Sequence, residues 1–276
     1  MKYTLLFIIL VVLTELHSIT LELALTDSIY IPKDAAFSKP YYSRCFDDTK
    51  NIALSPFKST WKGYLTTAAV VGTGFILFNN DEIITKNISS NYSKSNNAIA
   101  ETFMLFGDKY FMGSVYIASY VTSVLTDDVR LRKTSLLAIE SALFSAAITQ
   151  SLKFLIHRHR PEDGDGAYVN DGPSLKTEQL SFPSGHTTFV FSTAKIINEC
   201  YPEKKYLPFI TYPIATMTAL SRIYDKKHWA SDVLTGAAIG YFTASIIMNR
   251  YSDKKTEIYP IVVDKNTYGI GLNYKF

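Results

Sequence analysis

The sequence predicts an all-α protein, an antiparallel helical bundle with a short β-hairpin at its C-terminus. Apolar runs with helical spacing follow one another from residue 61 to residue 250, separated by polar, turn-like stretches. The chain has 276 residues, 47% of them hydrophobic and 14% aromatic, which is enough to fill the core of one large domain. Strand-like alternation appears only in the final residues. No sheet is therefore needed to build the main domain.

Residues 1–18 resemble an export signal. Met1 and Lys2 precede an apolar run from Leu5 to Leu13, which is too short to span a bilayer comfortably, and Ser18 permits cleavage. Leu16 is a poor residue near such a cleavage site. A cleaved signal peptide is therefore predicted, with an uncleaved N-terminal anchor as the alternative.

Residues 19–60 are polar and aromatic, contain three prolines and show no long period. They predict an irregular N-terminal extension that packs on the bundle. An exported chain meets an oxidising compartment, so Cys45 and Cys200 are compatible with one disulfide. Two unpaired thiols are equally compatible with the sequence.

Residues 61–250 are predicted to form the helical domain. Its apolar runs lie at 64–79, 98–106, 109–125, 134–157, 184–199, 206–224 and 228–250. If the last four runs are antiparallel helices, the polar stretches between them meet at one end of the bundle. A loop rich in Gly and Asp follows Arg160 and is expected to form a mobile rim over that end. Its Asp163 and Asp165 resemble part of a calcium loop, but the closing glutamate is missing, so no metal is expected there.

Residues 251–276 form a separate tail. Apolar and aromatic side chains alternate with small or polar ones from Tyr268 to Phe276, and residues 257–263 offer a partner strand. A hairpin that caps the bundle is predicted. The terminal aromatic residue also resembles the last strand of an outer-membrane barrel, but two strands cannot close a barrel.

Three separated stretches carry the chemistry: Lys153–Pro161 (KFLIHRHRP), Ser181–His186 (SFPSGH) and Ser221–Asp232 (SRIYDKKHWASD). In the third stretch, His228 and Asp232 are four residues apart. On a helix they share a face, so the carboxylate can accept the proton of one imidazole nitrogen and leave the other free to attack. Arg222 adds a planar fork of donors suited to phosphate oxygens.

The second stretch predicts a helix start at Pro183 and Ser184, where the backbone amides of Gly185 and His186 point outward at an anion. An imidazole such as that of His186 titrates near neutrality, as a proton donor to a leaving group should.

The first stretch contributes two cations, Lys153 and Arg160, which lie two turns apart on one face if the helix persists. The three stretches together predict a phosphate pocket with its own nucleophile.

These three patterns resemble the signature of the type 2 phosphatidic acid phosphatase (PAP2) superfamily, which includes bacterial acid phosphatases and vanadium haloperoxidases. The resemblance covers about residues 109 to 248. It implies that five residues bind phosphate: Lys153, Arg160, Ser184, Gly185 and Arg222. It further implies that His228 is the nucleophile that becomes phosphorylated, that Asp232 orients it and that His186 is the general acid. His157 and His159 fall on variable positions of the first motif and are expected to be bystanders.

The expected function is a metal-independent phosphatase without a cofactor, acting on a phosphomonoester or diphosphate of a lipid or small molecule. A broad-specificity periplasmic acid phosphatase and a vanadium-dependent haloperoxidase are the alternatives, and a non-enzymatic scaffold is disfavoured by the complete set of motif residues. The net charge is only +3, and no basic stripe with interleaved aromatics is present, so nucleic acid is not an expected partner. The sequence indicates no oligomeric state.

The expected location is outside the cytoplasm, at a membrane surface. Several apolar runs approach the length of a membrane span, but most contain polar residues, and the mean hydropathy of the chain is only slightly positive. Basic residues collect at the end of the bundle away from the motifs: Arg130, Arg132, Lys133, Lys204, Lys205, Arg250, Lys254 and Lys255. This asymmetry favours a motif end that faces outward. An integral membrane bundle is the alternative, but with residues 3–13 as an uncleaved anchor it would place the site in the cytoplasm.

Overall fold

The computed structural model describes residues 61–91, 93–175, 180–252, 256–264 and 267–274. The predicted signal peptide, the predicted N-terminal extension and Cys45 lie outside these residues. Cys200 is buried, and its pairing with Cys45 stays a prediction.

Helices make up most of the described chain, as the sequence predicts. In chain order they are α1 (Trp61–Ser89), α2 (Lys94–Met104), α3 (Lys109–Leu125), α4 (Val129–Ile156), α5 (Gly185–Cys200), α6 (Pro208–Tyr224) and α7 (Ala230–Ser252). Two short 3-10 turns, Leu105–Gly107 and Pro161–Asp163, lie between them.

Short polar side chains begin several of these helices. Asp108 accepts hydrogen bonds from the amides of Tyr110 and Phe111 (3.0 and 2.8 Å) at the start of α3. Asp128 accepts from the amide of Leu131 (2.8 Å) at the start of α4. Because Asp128 caps the helix there, α4 begins earlier than the predicted residue 134.

Helix α1 is longer than the predicted run 64–79. The sequence Asn79-Asn80-Asp81 resembles a turn, but both asparagine side chains donate to backbone carbonyls four residues earlier (2.7 and 2.8 Å). Asp81 is fully buried and ion-paired with Arg158. The helix therefore continues through these polar residues to Ser89.

Helix α5 lies at the centre of the bundle and packs against α4, α6 and α7. Its approach to α7 is unusually close, because α7 presents Gly236 and Gly240 at the contact. A Cβ atom at Gly236 would overlap the carbonyl oxygen of Ser184, and one at Gly240 would overlap that of Thr188. The two glycines thus allow backbone to meet backbone.

Two groups of buried apolar residues fill the interior. The larger joins α3, α4, α5 and α7 and includes Tyr116, Leu137, Ile196 and Ile247. The smaller surrounds Ile223 near the motif end of the bundle.

The chain between α4 and α5 folds back on the end of α4. His157 ends α4 in the left-handed conformation (φ 49°). The amides of Asp171 and Ser174 then bond to the carbonyls of His157 and Phe154 (both 3.1 Å). This pairing holds the described part of the loop beside the motif end, while its predicted mobility stays untested.

Two antiparallel strands follow α7, β1 (Thr256–Asp264) and β2 (Thr267–Tyr274), with an irregularity between Val262 and Asp264. The structure describes the backbone of these two strands but not their side chains. A hairpin that caps the bundle therefore remains a prediction.

Apolar surface is extensive on the described helices. By length and composition, α4 (Val129–Ile156) and the Ala230–Met248 part of α7 could cross a membrane. Large exposed hydrophobic side chains include Trp61, Leu65, Val71, Phe75, Ile117, Leu125, Leu143 and Phe209. Among the basic residues at the far end, Arg132 is buried and donates to the carbonyl of Ser123 (3.1 Å), so it adds no surface charge. These features indicate membrane association.

We expect Gly240→Ala to lower the free energy of unfolding by about 1 to 3 kcal/mol, because the added methyl group forces α5 and α7 apart. Gly72→Ala is the matched control. A Cβ at Gly72 meets nothing within 4 Å, so alanine should stabilise α1 by up to about 1 kcal/mol. Thermal unfolding in detergent, followed by circular dichroism, measures both. Equal melting temperatures for the two variants would contradict the close-contact interpretation.

Candidate active site

The three motif stretches meet at one end of the bundle. The ammonium group of Lys153, in the last turn of α4, lies 2.5 Å from the carbonyl oxygen of Leu180. The amide of Ser184, which precedes α5, donates to the carbonyl of Asp232 in α7 (3.1 Å). The amide of His228 bonds to the carbonyl of Arg222 at the end of α6 (3.2 Å). Lys153, Ser184, Arg222 and Asp232 thus lie at adjoining helix ends, while Arg160 and His228 lie in the segments between helices.

His228 is buried, and a backbone carbonyl determines which of its ring nitrogens carries the proton. Its Nδ1 atom lies 2.6 Å from the carbonyl oxygen of Ser181. A carbonyl only accepts hydrogen bonds, so Nδ1 carries the proton and Nε2 keeps its lone pair. This is the tautomer that a nucleophilic imidazole requires.

The hydrogen bond predicted between Asp232 and His228 is not formed, and that expectation was wrong. The nearest carboxylate oxygen of Asp232 lies 3.9 Å from Nδ1 of His228. Helix α7 begins only at Ala230, so His228 precedes the helix and the one-turn spacing does not apply.

Asp232 instead binds Ser181 and Trp229, which contact or adjoin His228. Its Oδ2 accepts from the hydroxyl of Ser181 (2.5 Å) and from the amide of Trp229 (2.9 Å). The carboxylate therefore acts on the imidazole through Ser181 and through its negative charge.

Two guanidinium groups each leave one donor unused. The Nε atoms of Arg160 and Arg222 are buried and have no acceptor among the described residues. Arg222 pairs with Asp225 through its NH2 group, and Arg160 lies 3.4 Å from Glu162 through NH1. A buried donor without an acceptor costs free energy, so these two Nε–H groups are suited to bind an anionic ligand.

The N-terminus of α5 adds backbone donors. Ser184 precedes the helix in an extended conformation, and its hydroxyl accepts from Thr187 (2.9 Å). The first amides of a helix have no intrahelical acceptor, and the helix dipole favours an anion there. A Cβ atom at Gly185 would meet nothing within 4 Å, so open space lies beside this helix start.

His186 is positioned by a close backbone contact that the sequence did not indicate. A Cβ at Gly107 would lie 2.5 Å from the Cβ of His186, so only glycine fits in this 3-10 turn. Burial, followed by the positive charge of Arg222, lowers the pKa of His186 to about 4. His186 is therefore neutral at pH 7 in the unliganded site.

The same electrostatic effects act on His228. Burial first, and then the charges of Lys153 and Arg160, hold the pKa of His228 well below its usual range. Both histidines are thus neutral beside the guanidinium groups of Arg160 and Arg222. Binding of an anionic phosphoryl group would offset these charges and raise both pKa values.

The two remaining histidines of the first motif lie apart from this cluster. The ring nitrogens of His159 face Asp165 (2.7 Å) and Asp171 (3.2 Å) in the following loop. His157 is fully buried at the end of α4. Their predicted role as bystanders is compatible with these contacts and stays a prediction.

The arrangement brings cationic side chains, the start of α5 and a buried imidazole together at one end of the bundle, a combination that could bind an anion. Residues 134–256 match the model of the PAP2 superfamily, the family that the three motifs resemble.

Relatives carry the names of lipid phosphatases. The chain is 29% identical to a putative phosphatidate phosphatase of Drosophila melanogaster over 257 residues, which cover 78% of this chain and 62% of that protein. It is 39% identical to a lipid A 1-phosphatase of Porphyromonas gingivalis over 71 residues, which cover 25% of this chain and 16% of that protein. The chain thus spans less than two thirds of the length of either relative.

Among solved structures, the chain resembles a transmembrane PAP2-type phosphatidylglycerolphosphate phosphatase from Bacillus subtilis. The TM-score is 0.49 at 17% identity, and the match covers 72% of this chain and 98% of that one.

Sequence reasoning missed four residues that shape the site: Asp81, Gly107, Arg158 and Ser181. Ser181 and Arg158 lie inside the motif stretches but at positions to which no role was given. Asp81 follows an apolar run and is itself followed by Glu82, so no feature of the sequence indicates that one of the two acids is buried in an ion pair.

We expect the pH profiles of kcat and kcat/KM to differ for a substrate with a poor leaving group. The profile of kcat/KM reports the free enzyme, where the pKa of His186 is about 4, so it should fall as the pH rises through that region. The profile of kcat reports the complex, where the bound phosphoryl group raises this pKa, so its descending limb should lie at higher pH.

His186→Asn is the control for this measurement, because it removes the limb due to His186 and leaves any limb due to the substrate. If the descending limbs of the kcat and kcat/KM profiles lie at the same pH in the wild type, the assignment of His186 as general acid is contradicted.

Proposed function

We propose that this chain is a phosphatase that transfers the phosphoryl group of a lipid phosphate to His228 and then to water. The observation that carries the proposal is the unsatisfied Nε–H groups of Arg160 and Arg222, beside the open N-terminus of α5 and the tautomer-fixed His228. These groups supply a phosphate-sized set of donors and a lone pair within one buried cluster.

In the first half of the reaction, the Nε2 lone pair of His228 attacks phosphorus in line with the leaving oxygen. The P–O bond breaks, and its electron pair stays on the leaving oxygen. That oxygen takes a proton from His186, which is protonated in the complex because the bound phosphoryl group raises its pKa. Arg160, Arg222 and the first amides of α5 hold the charge on the equatorial oxygens. The negative charge of Asp232, 3.9 Å from Nδ1, stabilises the cationic phosphohistidine.

In the second half, His186 accepts a proton from water, and the water oxygen attacks the phosphohistidine. The N–P bond breaks, its electrons return to Nε2, and inorganic phosphate leaves. His228 is then neutral again, with its proton still on Nδ1.

Two features support a lipid as the substrate. The relatives named above are phosphatases of phosphatidate and of lipid A, and the described helices expose much apolar surface. An apolar cavity of about 780 Å³ also lies between α1, α4 and α7, lined by residues such as Phe75 and Ile239. A substrate with a hydrocarbon tail would reach the site from such a surface.

We further propose that the motif end faces away from the cytoplasm. The predicted export signal and the basic residues at the opposite end of the bundle support this orientation.

We expect turnover to survive EDTA, because arginine, lysine and helix-dipole charges take the place that a metal ion occupies in other phosphatases. Phosphate release should be measured in mixed micelles with phosphatidate, phosphatidylglycerophosphate, polyprenyl diphosphate, lipid A and p-nitrophenyl phosphate. Preference for any one lipid supports the proposal. Loss of turnover in EDTA that Mg²⁺ restores contradicts the metal-free reaction, and hydrolysis of p-nitrophenyl phosphate alone contradicts a lipid substrate.

Bromide oxidation by the protein with vanadate and peroxide, without phosphate release, would identify a haloperoxidase instead.

We expect His228→Ala and His186→Ala to fail in different ways. The first removes the nucleophile, so turnover and the acid-labile phosphoenzyme should both disappear. The second removes the leaving-group acid, a loss of about 10² to 10⁴ in rate for an alkyl phosphate. Because p-nitrophenolate leaves without protonation, its ester should be largely spared by His186→Ala. Equal losses on both substrates would contradict the role of His186.

A further inference from the structure

We propose that Arg158 and Asp81 are positioning residues for His228, acting through Asp232 and Ser181. This inference rests on the proposed function, in which His228 is the nucleophile. Neither residue is implied by the motif resemblance, and Asp81 lies outside the matched residues 134–256.

Arg158 is buried with every guanidinium nitrogen bonded. NH1 donates to Oδ1 of Asp232 (2.6 Å) and to the hydroxyl of Ser231 (2.8 Å). NH2 donates to Oδ2 of Asp81 (2.9 Å) and to the carbonyl of Ala167 (2.6 Å), which also accepts from Nε (2.9 Å). The guanidinium thus links two fully buried carboxylates from different helices.

Aromatic rings fix the plane of this guanidinium. Its central carbon lies 4.8 Å from the ring centre of Phe78 and 5.6 Å from that of Trp229. The indole of Trp229 is itself held by a hydrogen bond to the carbonyl of His159 (2.8 Å). Arg158 therefore has one orientation available.

Asp81 is bonded on both of its oxygens. Oδ1 accepts from the amide of Ser231 (2.9 Å), and Oδ2 accepts from the Ser231 hydroxyl (2.5 Å) as well as from Arg158. Since Ser231 lies in the first turn of α7, Asp81 anchors that helix start to α1.

The connection to the nucleophile passes through Ser181, which Arg158 holds in two ways. The amide of Ser181 donates to the carbonyl of Arg158 (2.9 Å), and its hydroxyl donates to the Asp232 carboxylate that Arg158 also binds. The Ser181 carbonyl then receives Nδ1–H of His228. An error in the placement of Arg158 is therefore transmitted to the attacking imidazole.

Charge gives Asp81 a second effect. One guanidinium between two carboxylates leaves a net negative charge behind the imidazole. Without the charge of Asp81, Arg158 would neutralise Asp232, and the cationic phosphohistidine would lose its counterion. The network is thus expected to lower the barrier to phosphoryl transfer and to leave phosphate binding alone.

The test compares Asp81→Asn with Glu82→Gln. Both replace a carboxylate by an amide of the same shape, on adjacent residues of α1. Glu82 accepts from the amide of Ala167 (3.1 Å), so it contacts the same loop but has no bond to Arg158. We expect Asp81→Asn to lower kcat by about 10- to 100-fold, the usual loss when an outer partner of an oriented histidine is removed. KM and inhibition by vanadate should stay at wild-type values, and Glu82→Gln should leave all three unchanged.

Arg158→Lys and Arg158→Gln provide a second comparison. An ammonium keeps the charge but cannot reach both carboxylates in the same geometry, so the lysine variant should recover part of the kcat that the glutamine variant loses. If Asp81→Asn does not fold, this pair decides the question. Equal kcat in the lysine and glutamine variants, or equal kcat in Asp81→Asn and the wild type, overturns the proposal.

A readout that needs no turnover separates this inference from the proposed function. In the wild type, NMR should show a strongly hydrogen-bonded Nδ1 proton on His228, and this proton should exchange faster in Asp81→Asn but not in Glu82→Gln. An unchanged proton in Asp81→Asn overturns the positioning role, even if the wild type hydrolyses every substrate. A wild type that releases phosphate from none of the substrates overturns the proposed function, whatever the proton shows.

Discussion

The close contact of α5 and α7 is the constraint on which the site depends. Gly236 and Gly240 remove the side chains that would separate the two helix backbones. The amide of Ser184 can then bond to the carbonyl of Asp232, which ties the start of α5 to the first turn of α7 (3.1 Å). The proposed anion-binding amides and the proposed nucleophile lie at these two helix starts. Their relative position is therefore set by backbone contact, which varies less than contact between long side chains.

The site also separates charge in a way that burial makes expensive. Lys153, Arg160 and Arg222 lie near His228. The carboxylates of Asp81 and Asp232 both pair with Arg158. Neither group could be buried alone without a large loss of solvation. Arg158 divides its donors between the two carboxylates, while the cations keep open donors for an incoming anion.

Much of this arrangement could be predicted from the sequence, because periodicity and motif spacing are local properties. Helix α3 has the predicted bounds, 109–125, and the helices that carry the motifs end or begin close to the predicted residues. The clustering of Lys153, Arg222 and His228 followed from antiparallel packing. These predictions needed only the assumption that consecutive helices reverse direction.

The predicted contact that proved wrong depends on the residue at which a helix starts. The pairing of Asp232 with His228 assumed a helical turn between them, but α7 begins two residues after His228. The contact of Ser181 with His228 is made by its backbone carbonyl, a group that every residue has, so no sequence pattern can indicate that contact. Asp81 was missed for a related reason, since its partner Arg158 is 77 residues away along the chain. Pairing across such a distance becomes visible only in the folded structure.

Residues that precede the matched domain complete its interior. Asp81 in α1 forms a buried ion pair with Arg158, and the 3-10 turn that contains Gly107 lies against His186. A boundary drawn by sequence similarity at residue 134 therefore separates residues that pack together in the fold. If α1 detached from the bundle, Arg158 and Asp232 would open to water together, so local unfolding of α1 and loss of order in the site should be one event.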